Sequence, residues 1–170
     1  GCELEGWYTD ASLTNKWYFT NGVTQNMTLY ANWVSYCTIK FEANGGTAVA
    51  DAQVLGGTYY YGNTYSEKEG HYLVGWFTDV NLTTEFDFYI NPITSDITLY
   101  AKWEAYIYDV NFNSLGGSRV DYQEVEHGKH ATKPVDPTKA GYTFCGWYKE
   151  RSCINKWDFA NDVVTGYTNL

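Results

Sequence analysis

The chain has 170 residues, 44% of them hydrophobic and 18% charged, a balance that fits folded globular domains and argues against disorder. Its net charge of −9 excludes nucleic acid and other dense polyanions as partners, because those are held by clustered lysine and arginine. No run approaches the roughly 20 apolar residues that cross a bilayer, so no membrane insertion is expected, and the opening GCELEGWY has no apolar signal core and reads as part of something longer.

From its start the chain repeats itself. GWYTDASLTNKWYF at 6–19 returns without a gap as GWFTDVNLTTEFDF at 75–88 and GWYKERSCINKWDF at 146–159. MTLYANW at 27–33 matches ITLYAKW at 97–103, and IKFEANGG at 39–46 matches VNFNSLGG at 110–117. The unit is about 70 residues, longer than a propeller blade or a helical-solenoid unit, and long enough to enclose a small core of its own. The expected organisation is beads on a string: 1–34 the C-terminal half of a repeat, 35–105 a complete repeat, and 106–170 a repeat lacking its last strand. Short links, VSY and EAY, would join them.

In the complete repeat, YCTIKFEA alternates Ile39, Phe41 and Ala43 with polar neighbours and predicts a strand, and the following Asn-Gly-Gly predicts a hairpin turn. TAVADAQV is the expected returning strand. GGTYYYGNTYSEKEG, like its counterpart HGKHATKPVDPTKAG, is a punctuated connection with room for one or two helical turns. GHYLVGWF and DITLYAKW supply further strands, with a polar loop and a short EFDF segment between them. The expected fold class is therefore α+β and strand-rich.

The segments IKFEANGGT, GYTFCGWYKERSCINKWDF and DITLYAKW resemble the Listeria–Bacteroides repeat family, in the manner of the B repeat of internalin B. The resemblance implies a β-grasp-like (ubiquitin-like) fold for each repeat. It also implies a context in bacterial surface proteins, as modular stalks or adhesins of the cell wall.

Candidate site residues divide by whether they repeat. All seven tryptophans recur in register, as a core requires. Strict alternation nevertheless puts Trp7, Trp76 and Trp147 on the face opposite the core, where they would meet a ligand or a neighbouring repeat unless Gly6, Gly75 and Gly146 bulge the strand. Tyr59, Tyr60 and Tyr61 are a second set of candidate contacts, for a glycan or a protein, because the third repeat has His130, Ala131 and Thr132 there. Tyr60 is the one of the three that resembles a family position covering the sheet. Cys145 and Cys153, private to the third repeat, are the candidate disulfide pair, and Cys2 with Cys37 a secondary one. Four cysteines without a CxxC pair give no zinc site, and His71, His127 and His130 have no ligand or nucleophile partner by sequence, so neither catalysis, metal nor cofactor is expected. Asn26 and Asn81 head glycosylation sequons.

The leading reading is a non-enzymatic, extracellular repeat segment of a bacterial surface protein that acts as spacer, stalk or adhesin. Its rivals are a carbohydrate- or protein-binding module that uses exposed aromatics on a host or cell-surface partner, and a self-assembling filament subunit.

Overall fold

The computed structural model describes residues 2–170. The chain forms two compact units: one gathers the residues up to Ser66 with Gly75–Lys102, the other Glu67–Val74 with Trp103–Leu170.

The first sheet has six strands, β1 (Cys2–Tyr8), β2 (Lys16–Trp17), β3 (Tyr30–Glu42), β4 (Ala52–Leu55), β5 (His71–Phe77) and β6 (Ile97–Ala105). They are ordered β2-β1-β3-β6-β5, with β4 also on β3. The 13-residue strand β3 organises this sheet. Its first part pairs antiparallel with β1, from Tyr8↔Tyr30 to Cys2↔Ser35. Its second part pairs antiparallel with β4, starting at Tyr36↔Leu55, and parallel with β6, from Ile39↔Ile97 to Glu42↔Tyr100. The expected VSY link is thus not a link. The last strand of one sequence repeat runs without interruption into the first strand of the next. β-Branched and aromatic residues fill this stretch, and no glycine or proline breaks it.

The second sheet has three strands, β7 (Ile107–Asn111), β8 (Gln123–Glu126) and β9 (Thr168–Asn169), in the order β8-β7-β9. β7 and β8 are antiparallel, and β7 and β9 parallel.

The expected α+β class and β-grasp-like fold are corrected: among the described residues there is no helix, and the chain is all-β. The segments expected to turn helically explain why. In 129–141, Pro134 and Pro137 remove amide donors and push the residues before them into extended conformations. In 58–70, three consecutive tyrosines and then Gly62 and Asn63 oppose a helix, and the chain instead runs irregularly along the core. The returning strand also contracts to β4, because 47–51 makes no ladder.

The two cores match ring by ring. In the first unit Phe41 meets Trp76 edge-on at 4.9 Å and stacks on Phe88 at 6.5 Å. In the second, Phe112 meets Trp147 edge-on at 5.0 Å and stacks on Phe159 at 6.4 Å. Ile39, Ile93 and Leu99 are buried in one, and their counterparts Val110, Val164 and Leu170 in the other. Two positions are filled differently. The first unit covers its core with Tyr60 and has Phe86 near Phe88, whereas the second has the smaller Ala131 and the larger Trp157 at those positions.

The turns after β3 and β7 repeat as well, although the ladders with β4 and β8 begin only at Ile39↔Ala52 and Val110↔Gln123. Asn44 and Gly45 both have positive φ (48° and 87°), and the Gly46 amide donates to the Ala43 carbonyl at 3.0 Å, the two-residue turn whose twist suits a β-hairpin. Leu115 and Gly116 do the same at 49° and 88°, although leucine is costly there.

Candidate functional site

Two of the three GW tryptophans, Trp76 and Trp147, are core residues. The pairing of β1 with β3 slips between Leu4↔Trp33 and Gly6↔Asn32, a bulge that leaves Glu5 unpaired just before Trp7. In the third copy Gly146, the counterpart of Gly6, has a φ of 132° that only glycine adopts without strain. Trp76 and Trp147 are each only 3% exposed, so neither offers an indole face to a ligand; Trp7 is half-buried. The Trp76 Nε1–H donates to the Thr64 carbonyl at 3.1 Å. The Trp147 Nε1–H is buried without an acceptor among the described residues.

The three candidate tyrosines part company. Successive residues of an extended segment point to opposite sides. Tyr60 turns inward, 6.0 Å from Phe41 and 5.9 Å from Phe88, and its hydroxyl donates to the Asn63 carbonyl at 3.2 Å. Tyr59 and Tyr61 turn outward, 41% and 75% exposed. The segment 87–89 behaves alike: Phe88 packs inward and Tyr89 is 80% exposed. Tyr61 then lies between two other exposed rings, with centroids 6.3 Å from Tyr59 and 6.5 Å from Tyr89. Tyr89 is the member of this cluster that the sequence reading missed. Its signal was available: Tyr89 has Ala160 as its counterpart, so it is as private to this repeat as Tyr59 and Tyr61.

Chemistry-bearing carboxylates are engaged in loop closure. The Asp79 carboxylate accepts from the backbone amides of Thr83 and Thr84 at 3.1 and 2.9 Å. Asp10 does the same with Thr14 and Asn15 at 3.1 and 2.7 Å, and Glu150 with Ile154 and Asn155 at 2.8 and 2.6 Å. Each loop passes through one left-handed residue, Leu13, Leu82 or Cys153, at φ of 55–56°. These bonds hold all three carboxyls below their usual range. The leading cause is the Ser12 hydroxyl for Asp10, the Thr84 amide for Asp79 and the Asn155 amide for Glu150. They are low-pKa groups of structural origin, the opposite of a raised general acid. No cluster of three or more metal-ligating side chains forms among the described residues.

The disulfide expectation is corrected: all four cysteines are free thiols. Cys145 and Cys153 line one surface groove of about 560 Å³, yet each thiol turns back to a carbonyl two residues upstream, Thr143 at 3.6 Å and Arg151 at 3.5 Å. Cys2 pairs with Ser35, which leaves Cys37 diagonally placed. Diagonal neighbours on paired strands are about 7–8 Å apart, beyond the usual reach of a disulfide. Cys37 is moreover buried while Cys2 is exposed. Of the histidines, His71 Nδ1 meets the Glu69 carbonyl at 2.7 Å and His130 Nδ1 the Asp162 carbonyl at 2.9 Å, while His127 packs beside Tyr108.

The sequence profile of the Listeria-Bacteroides repeat domain matches residues 1–32, 37–102 and 108–170. The chain belongs to this repeat family. Its relatives include two proteins of Evansella cellulosilytica, one named as a membrane protein and one as a Gly-rich membrane protein. Each is 40% identical, over 97% and 98% of this chain. Internalin H of Listeria monocytogenes is 38% identical over 57% of it. This Listeria-Bacteroides repeat segment spans 25%, 20% and 18% of the lengths of those three proteins. The duplicated aromatic core lies in the second and third of these matches. Trp7, Trp76 and Trp147 fall one in each match, whereas Tyr59, Tyr61 and Tyr89 fall only in the middle one.

Proposed function

We propose that the chain is a non-enzymatic spacer segment of an extracellular bacterial surface protein, one that sets a distance between its neighbours in the longer chain. The carrying observation is β3: a single 13-residue strand serves as the last strand of one repeat and the first of the next, so no flexible linker separates them. Such a junction suits a stalk, because extension by whole repeats then adds ordered length and not slack. Family membership and relatives named as membrane proteins support the surface context.

The test is made in the full-length protein of the source bacterium. Antibodies against this chain should label intact cells, and replacing the segment with unrelated folded repeats of equal length should leave display and function of the flanking parts unchanged. A loss of function that only the native segment restores would overturn the spacer reading in favour of an adhesin.

A further inference from the structure

We infer that Tyr59, Tyr61 and Tyr89 form a stacking site for a neutral glycan. The first ground is an internal control that the duplication supplies. In the third repeat the turn carrying Ala160 is built as the turn carrying Tyr89 is: the Ala160 amide donates to Asp158 Oδ1 at 2.9 Å and the Asp162 amide to the Asp158 carbonyl at 2.8 Å, as the Tyr89 amide does to Asp87 Oδ1 at 2.8 Å and the Asn91 amide to the Asp87 carbonyl at 2.9 Å. The scaffold therefore holds with alanine where Tyr89 stands, and with His130 and Thr132 where Tyr59 and Tyr61 stand. These three rings are not needed for the fold.

The second ground is preorganisation. The exposed rings are carried by residues adjacent to the packed pair Tyr60 and Phe88, whose rings lie 5.9 Å apart against Phe41. Both segments are thus anchored directly beneath the surface they present. Tyrosine supplies rigid amphipathic area with only two side-chain torsions to freeze, which keeps the entropic cost of binding low.

The third ground selects the ligand. Centroid steps of 6.3 and 6.5 Å with tilts of 36° and 54° make a faceted, solvent-open surface, not a slot. The C–H face of a pyranose is apolar and its rim is hydroxylated, which matches a phenol ring and its hydroxyl. At the observed exposures the three side chains offer roughly 400 Å², about half of what each partner contributes to a standard protein interface. A net charge of −9 disfavours sulfated or other anionic glycans.

The experiment probes the intact chain on an array of neutral oligosaccharides, including β-linked glucose, galactose and N-acetylglucosamine chains, with heparin fragments as the anionic arm. Retained glycans are titrated by calorimetry. We expect binding to at least one neutral glycan, weakened tenfold or more in Tyr61→Ala/Tyr89→Ala and unchanged in Tyr122→Ala, an exposed tyrosine of the other unit. Circular dichroism confirms that the double variant folds, as exposed positions allow. Retention of no neutral glycan, retention of anionic ones only, neutral-glycan affinity indifferent to the double variant, or engagement of the patch by a protein alone would each overturn the assignment. The outcome is independent of the spacer reading, which concerns the β3 junction.

Discussion

Leu115 shows how one position departs from its own duplicate. Its counterpart Asn44 takes the same left-handed conformation, which asparagine tolerates, and donates from Nδ2 to the Ala101 carbonyl at 2.8 Å. Leucine at φ 49° is strained and 47% exposed, so little packing compensates. Leu115→Asn should stabilise the protein by about 1 kcal/mol, read as a raised midpoint in urea denaturation with an unchanged slope; a lowered midpoint would refute the strain. The paired tryptophans offer a second comparison. Trp76→Phe loses a hydrogen bond to Thr64, whereas Trp147→Phe deletes a buried donor that has no acceptor. Both variants leave a similar cavity, so Trp76→Phe should be the more damaging by roughly 1–3 kcal/mol. Equal losses would mean that the Trp147 indole is solvated in solution.

Among the elements, the loops after the GW segments were illegible as structure, although their sequences aligned without a gap. Asp10, Asp79 and Glu150 read as scattered surface charge because a carboxylate four and five residues from the amides it caps leaves no periodic pattern. Their pH behaviour follows from the lowered native pKa values. The unfolded carboxyls titrate near 4, so the stability these loops contribute is complete above that value and is lost as pH falls through the lower native values. Thermal midpoints measured from pH 7 to pH 2 should therefore fall below about pH 4, and Asp79→Asn should flatten that fall; a flat profile in the unaltered chain would refute the capping role. Strands were easier. Ile39 and Phe41 on β3, and Leu99 and Ala101 on β6, announced their buried face by alternation, and the structure buries all four. Alternation failed at the GW segment for a local reason. Trp76 and its neighbour Phe77 are both buried, at 3% and 5%, and a one-face alternation cannot represent a strand end that is packed on both sides.

At the scale of the whole molecule, the duplication was legible and its consequence for the fold was not. Recurrent glycines, aromatics and turn residues marked the repeats, but two features needed coordinates: the fusion of two repeats through β3, and irregular backbone where a helix was expected. Both depend on which long-range pairings win over local propensity, and a single segment cannot report that. Net charge is a property of the whole chain and carries its own test. With 20 acidic against 11 basic residues, approach of any polyanion is opposed at long range, and the described salt bridges already engage four of the basic side chains, Lys16, Arg119, Lys133 and Lys149. At about 0.15 M salt the Debye length is near 8 Å, so residual attraction would have to come from a local cationic cluster. The chain should consequently pass through immobilised heparin unretained at that ionic strength, and lowering the salt should deepen the exclusion and not create binding. Retention that grows as salt is removed would reveal a basic face concealed by the net charge, and it would remove the charge argument against anionic ligands.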